Sequence, residues 1–349
     1  MIQKRFKKLA SYGVLMLLFS GCSRSWHVND ASTEGDVFTK AVGDKEKGNG
    51  SVNKPFLTIE QAVQKASPGD TIFIDTGVYT NPVDQAVSVV VSVDKPKLSV
   101  EGAGVEKTRI QLPTNPKEFQ CGIRIAAEKV RLQNLSIKGG TLGVFIHQTS
   151  QAVVKNVNAE GQTAHGFLLD QAQKCELSDC QAQKIGFRGF QLKDATDNKI
   201  HHNLSKENGN AGFCLSSSAG NSLQQNIAQD NATSGFFING SSQSNLIANN
   251  RAISNGIGGF YLYGKSRENQ LKNNFSQGNG VGISLNNSYA NTLSENQICS
   301  NKGYGVVCKS GSDSNKILGN RLSKNKAPQI CIAKENEKNN RVENNVVEN

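Results

Sequence analysis

One short phrase, Gly-apolar-any-apolar, recurs through much of this 349-residue chain. It reads Gly143-Val144-Phe145-Ile146, Gly166-Phe167-Leu168-Leu169, Gly189-Phe190-Gln191-Leu192 and Gly212-Phe213-Cys214-Leu215. It continues at Gly235, Gly259, Gly282 and Gly305, with spacings of 23, 23, 23, 23, 24, 23 and 23. Gly122-Ile123-Arg124-Ile125 stands 21 residues ahead as an earlier member. A period of this size is that of a solenoid, in which each repeat buries its apolar face only against its neighbours. Apolar and polar residues alternate over four or five positions, which is a strand period and not a helical one.

Three columns of Asn run in phase with that phrase. One holds Asn198, Asn221, Asn245, Asn269, Asn291 and Asn315, a second follows about five residues later at Asn203 and its equivalents, and a third includes Asn208. Three columns mean three turns per repeat. Asn tolerates left-handed backbone at tight turns, and stacked amides can hydrogen-bond from coil to coil. The expectation is an all-β parallel β-helix with three short strands per coil and nine coils from Gly122 onward. With 34 Gly added to this Asn content, a helical bundle is excluded. At 36% apolar residues the chain buries a core, so wholesale disorder is excluded too.

The N-terminus has its own logic. Lys4, Arg5, Lys7 and Lys8 precede a short apolar run from Gly13 to Phe19, too short to span a bilayer and shaped like an export leader. Phe19-Ser20-Gly21-Cys22 then resembles the lipobox of bacterial lipoproteins. That resemblance implies lipidation of Cys22 and, since Ser23 follows, an outer-membrane anchor. Removing the leader takes four of 39 basic residues and leaves 35 against 29 acids, a net +6 that suits an acidic partner without naming one. Eight Cys become seven without Cys22, an odd number in a compartment that permits disulfides, and most are expected to be buried structural thiols. The expected division is a leader at 1–21, a tether and linker at 22–53, an N-terminal cap with irregular first coils at 54–120, and the regular solenoid at 121–349.

Within that cap, Thr58 and Gln61 have the spacing of a capping box, and Ile59, Ala62, Val63 and Ala66 share one face of a short helix. Ser67-Pro68-Gly69-Asp70 breaks the helix, Thr71 to Asp75 reads as a strand, and Val87, Val89, Val91 and Val93 alternate as another. The stretch from Lys54 to Tyr79 resembles the N-terminal cap of secreted β-helix polysaccharide lyases. With the repeats, it identifies the chain as similar to the right-handed parallel β-helix superfamily of carbohydrate-binding proteins and sugar hydrolases, over roughly residues 35–345. The resemblance implies a right-handed solenoid with a helix over its open end, where bare strand edges would invite aggregation.

Strand alternation sends the third and fifth positions of each phrase outward, and parallel stacking aligns them from coil to coil. The fifth-position column passes through His147, Asp170, Lys193, Ser216, Asn239 and Tyr263; the third-position column includes Arg124, Gln191, Phe237 and Tyr261. His165 and Arg188 stand just before the Gly. Ionisable residues thus crowd the early coils and aromatic ones the next. Rings suit pyranose faces, cations suit uronate carboxylates, and His suits acid or base work near neutral pH. The catalytic candidates are His165, His147, Asp170, Arg188 and Lys193. The substrate-binding candidates are Arg124, Gln191, Phe237, Asn239, Tyr261 and Tyr263. A plain solvent-facing column of polar residues is the competing reading.

His202 takes the position of Gln225, Asn249 and Asn273 in later coils, so His201-His202 reads as a turn and not a ligand pair. No cofactor is expected. Asp179, Asp194 and Asp197 would be the calcium candidates, but they lack a spaced acidic motif.

Against the mannuronan C5-epimerase family, the matching phrase is His165-Gly166-Phe167-Leu168-Leu169-Asp170. That family's strand continues Asp-Pro-His after Gly-Phe and is preceded by Tyr; here His165 stands at the Tyr place and the Asp and His of the motif are missing. Its catalytic residues are therefore not carried over. A further resemblance is to the periplasmic β-helix protein of copper-site maturation in nitrous-oxide reductase. Only two Met occur, both in the leader, which argues against copper handling. No helix-turn-helix, Walker loop or dinucleotide fingerprint occurs, so nucleic acid is not an expected partner. The leading expectation is a lipid-anchored envelope protein that binds an acidic polysaccharide and acts on it by β-elimination or C5-epimerisation. In that chemistry Arg188 and Lys193 pair with the carboxylate and His165 or His147 takes the C5 proton. The alternative is a non-catalytic glycan- or protein-binding scaffold.

Overall fold

The computed structural model describes residues 23–80, 89–309 and 311–348. Cys22 and the leader, with Val87 of the expected valine strand, lie outside the described residues. Almost every described element is a strand in a parallel ladder, and the sequence repeat is one coil of a right-handed parallel β-helix. Each regular coil contributes one strand to an eleven-stranded sheet and two three-residue strands to a second, twenty-three-stranded sheet. In the coil of Gly189 these are Arg188–Lys193, Lys199–His201 and Leu204–Lys206.

Inward-pointing residues stack with their equivalents. Phe167, Phe190, Phe213, Phe236 and Phe260 are fully buried. Their rings pile face to face at centroid separations of 4.6, 4.8, 4.9 and 4.8 Å, within 10° of parallel. The Gly before each Phe is demanded by close approach. A Cβ on Gly235 would lie 2.7 Å from the Gly259 carbonyl oxygen and 2.9 Å from Asn255 Nδ2.

The Asn columns are interior ladders. Asn221 Oδ1 accepts from both the backbone N–H and the side-chain amide of Asn198, each at 2.9 Å, while Asn221 Nδ2 donates to the Ala195 carbonyl at 2.9 Å. The later Asn of the three columns repeat this, so the stacked amides are paired with one another and with backbone, while the buried Oε1 atoms of Gln120 and Gln162 in the earlier coils have no hydrogen-bond partner. The expectation that these Asn hold the left-handed turns is corrected. The positive φ belongs to the residue before each ladder Asn, such as Asp197 at 56°, Gln225 at 55° and Asn249 at 57°. The turn needs left-handed backbone at one position and an inward amide at the next. Cys175 and Cys180 continue two of these columns one coil earlier, where their backbone N–H groups donate to Asn198 and Asn203. The seven described Cys are free thiols.

The helix Ile59–Lys65 carries the full capping box with Thr58 and Gln61, and packs Ile59, Ala62 and Val63 onto the first coils. Residues 22–53 were expected to be a tether, yet Ser25–Val28 pairs in parallel with Thr71–Ile74 and adds a strand ahead of the helix. Two carboxylates hold this segment down. Asp70 accepts from the backbone of Arg24 and Ser67 and from Trp26 Nε1, and Asp75 accepts from the backbone of Val37, Phe38 and Thr39. Apart from Ser67, these partners lie tens of residues from their carboxylate, a separation that local spacing does not reveal.

Candidate functional site

The outer wall of the eleven-stranded sheet positions the candidates. Leu142–His147, His165–Asp170 and Arg188–Lys193 are adjacent strands, with Asp170 in register between His147 and Lys193, and His165 in register with Arg188. The register continues from Gln191 through Cys214 and Phe237 to Tyr261, and from Tyr263 to Asn286. The predicted columns therefore share one exterior wall.

At the early end, His147 Nδ1 lies 3.2 Å from Asp170 Oδ2 and Lys193 Nζ lies 3.4 Å from Asp170 Oδ1. Neither contact is aligned as a hydrogen bond. His147 Nδ1, Asp170 Oδ1 and His165 Nδ1 are buried polar atoms with no hydrogen-bond partner. Three such atoms on one wall are an exception to the usual pairing of buried polar groups. The Phe145 ring, absent from the candidates, tilts against His147 at 4.9 Å. Arg124 is in register with Phe145 and begins the wall.

One coil on, Arg188 is held from several sides. Its Cζ sits 4.5 Å from the Phe187 ring centroid and 5.9 Å from that of Phe237. Its Nη1 donates to Gln191 Oε1 and its Nε to Asn210 Oδ1 at 3.4 Å. Gln191 was expected to meet substrate, but only 3% of it is exposed. Its amide is spent on Arg188, the Leu192 carbonyl and Ser216 Oγ, so it orients the guanidinium from beneath. Burial, with the Arg188 charge beside it, holds the His165 pKa down at about 4. His165 is thus neutral near pH 7, and the expectation that it could serve as an acid there is corrected: its buried ring loses too much hydration on protonation.

The later coils supply rings. Phe237 and Tyr261 stack at 5.5 Å, and Tyr263 stands beside Tyr261 at 6.0 Å with 46% of its surface exposed. Asn239 accepts from Ser216 Oγ at 2.7 Å, and Asn286 Nδ2 donates to Tyr261 Oη at 3.2 Å. Arg188 joins the ionisable and aromatic halves, because the small Cys214 between Gln191 and Phe237 leaves room for it. Phe187 was missed although it is 39% exposed: it stands two residues before the Gly, outside the columns considered. An open depression of about 540 Å³, lined by Gln148, Gln171 and Gln173 among others, adjoins the His147 and Asp170 end of these strands. Asp179, Asp194 and Asp197 all occupy left-handed turn positions.

Fold and wall together define a right-handed parallel β-helix with a polar and aromatic exterior face. Residues 241–349 match the right-handed β-helix region, and residues 65–275, more than half of the chain, match the family described as periplasmic copper-binding protein (NosD). The chain belongs to that family. No curated protein matches it by sequence. Among solved structures, the A-module of Azotobacter vinelandii mannuronan C-5 epimerase AlgE6 is 17% identical, with a TM-score of 0.72 over 92% of this chain and 99% of that one. The periplasmic alginate epimerase AlgG, as a double mutant, is 15% identical, with a TM-score of 0.57 over 82% of this chain and 87% of that one. The catalytic domain of a GH87 alpha-1,3-glucanase in complex with nigerose is 16% identical, with a TM-score of 0.60 over 88% and 70%. At these identities the likeness is one of fold.

The family description names copper, so the donors matter. Both Met lie outside the described residues, and burial pushes the thiols of Cys121, Cys180 and Cys308 up to about 12. Among the described residues, no group of three or more His, Cys, Asp or Glu is placed to hold a metal ion. Those three thiols are therefore poor copper ligands. On the other sheet, His201 Nδ1 and His202 Nδ1 lie within hydrogen-bond distance of each other at 2.9 Å.

Proposed function

We propose that the eleven-stranded wall binds an acidic polysaccharide at the cell envelope, and that its early coils remove the proton beside a uronate carboxylate. The observation that carries this reading is the junction at Arg188. A guanidinium lodged between two rings and oriented by Gln191 suits a carboxylate attached to an apolar sugar face. The poorly aligned His147–Asp170–Lys193 contacts and the His165 Nδ1 without a hydrogen-bond partner leave polar capacity that a ligand rich in hydroxyl groups would take up. The epimerases and the glucanase that share the fold act on glycans, which supports the ligand class and assigns no residue.

In the chemical step the sugar carboxylate faces Arg188 and Lys193, and His147 takes the C5 proton. Asp170 stabilises the imidazolium that forms, and the two cations hold the enolate-like charge. Return of a proton to the opposite face of C5 gives the epimer. Breaking the C4–O bond gives an unsaturated end. Copper is assigned no part in this chemistry. Binding without turnover is the second reading. It is favoured by the loose alignment of His147 and Lys193 on Asp170.

The test incubates the purified leaderless protein with a polyuronate panel. Ultraviolet absorbance reports unsaturated ends, NMR reports epimers and affinity electrophoresis reports binding. Product that is lost in His147→Ala while binding persists supports the catalytic reading. Binding with no product leaves the scaffold, and absence of binding overturns both. The envelope placement rests on lipidation of Cys22, only three residues before the first strand at Ser25. An unmodified N-terminal peptide in the mass spectrum of protein from bacterial membranes would remove the anchor.

A further inference from the structure

A second cluster of charge lies along the twenty-three-stranded sheet and shares no residue with the glycan wall. An open groove of about 360 Å³ is lined there by Lys97, Ser99, Lys129, Arg131, Gln151 and Val153. Two stacked columns build it. Lys97, Lys129 and Gln151 hold the same left-handed turn position on successive coils, with φ of 62°, 60° and 59°, and Lys174 follows at 52°. Ser99, Arg131 and Val153 stand in register two residues further on, inside the strands. Stacking puts like positions about 4.8 Å apart, so cations on adjacent coils repel one another. Their countercharge is thin. Glu128 lies 3.9 Å from Lys129 with both side chains half exposed, and Glu176, in register beyond Val153, faces His201 at 3.1 Å. Lys97, Arg131 and Lys174 form no ion pair among the described residues.

The strand column of this groove starts beside the tether. Ser25 pairs with Thr71, Thr71 with Ser99 and Ser99 with Arg131, so Arg131 stands three rungs, about 14 Å, from Ser25. Cys22, whose lipidation would hold the chain at a bilayer, is three residues before Ser25. We propose that Lys97, Lys129 and Arg131 bind the phosphate headgroup of an anionic phospholipid in the membrane that holds Cys22. Ammonium and guanidinium groups donate charge-assisted hydrogen bonds to phosphate oxygens, and an anionic leaflet attracts clustered cations. A single tether leaves the solenoid free to swing. A second contact this close to the tether fixes which face of the rod meets the bilayer. The choice of a membrane phosphate over a free one rests on the anchor at Cys22.

The experiment sediments the leaderless protein, which keeps every described residue, with two kinds of vesicle. One is phosphatidylethanolamine with about 30% phosphatidylglycerol, the other neutral phosphatidylcholine. The protein should follow the anionic vesicles and not the neutral ones. Lys97→Gln, Lys129→Gln and Arg131→Gln should each weaken that binding about fivefold, and the triple variant should lose it. The turn accepts Gln, since Gln151 holds the same position with φ of 59°. Lys316→Gln, near the other end of the same sheet, removes the same charge and should change nothing. Equal binding to both vesicles, a triple variant that still sediments, or an equal loss in Lys316→Gln would overturn the proposal. Tighter binding of glycerol phosphate than of vesicles would also overturn it, as a site for free phosphate esters. So would a triple variant that loses polyuronate binding and keeps vesicle binding, as a glycan groove. The assay needs no lipidation, so its failure is separate from a failure of the Cys22 anchor.

Discussion

The Arg188 guanidinium reaches past the coil of Cys214 to stand 5.9 Å from the centre of the Phe237 ring, two coils away. This contact makes one continuous surface of two groups that the chain order keeps apart. It also means that the ring supports the cation as well as any ligand. Phe237→Ala is expected to weaken polyuronate binding by about 1–2 kcal/mol, of the order of a desolvated cation–π contact and the lost ring area. Affinity electrophoresis in gels cast with polyuronate reads this shift. Tyr263→Ala should cost less, since that ring lies at the exposed margin.

Two neighbouring amides test the ladder. Asn249 and Asn250 are adjacent, but Asn249 holds the left-handed turn with φ of 57°, whereas Asn250 is fully buried. Asn250 Oδ1 accepts from Asn226, and its Nδ2 donates to Leu223 O and Asn274 Oδ1. Asn250→Ala strands several buried groups and should cost about 3 kcal/mol or more. Asn249→Gly keeps the turn and should change stability by no more than about 1 kcal/mol. Denaturant unfolding of the two variants checks the contrast.

Close packing makes a second stability prediction. A Cβ at Gly235 would meet Gly259 O at 2.7 Å and Ala252 Cβ at 3.0 Å. The coil spacing is set by the ladder, so the strand cannot retreat. Gly235→Ala should destabilise by about 1–3 kcal/mol, seen as a lowered thermal midpoint.

His165 predicts a direction with pH. Its folded pKa of about 4 lies below the 6.5 of the free side chain, so between those values the unfolded chain binds the extra proton. Stability from this group is complete above about pH 6.5 and declines as the pH falls toward 4. His165→Asn should flatten the slope of stability against pH in that window. Urea unfolding at pH 4.5, 5.5 and 6.5 measures it.

The solenoid was legible because each coil repeats its inward residues, so one phrase read nine times reports the same packing. The wall was legible for the same reason: Asp170, Lys193 and Tyr263 fall on one face through strand alternation and register alone. What escaped notice depends on reach. Gln191 points outward, yet Arg188 covers it, and no column reveals that one side chain lies over another. Phe187 stands in the turn before the strand, where the phrase stops. The segment before Thr58 carries no repeat, and its attachment rests on Asp70 and Asp75, whose partners within it are distant in sequence. The left-handed turns lie one residue ahead of the ladder Asn, and residue type alone hides this because Asn serves in both places.

The wall's capacity for an acidic glycan depends on the Arg188 cation, and one comparison tests it directly. Isothermal titration of a polyuronate oligosaccharide against the native protein, Arg188→Lys and Arg188→Ala should give measurable affinity for the first, a clear loss for the second and at least a tenfold loss for the third. Equal affinity in all three, with the fold intact by circular dichroism, would contradict the account.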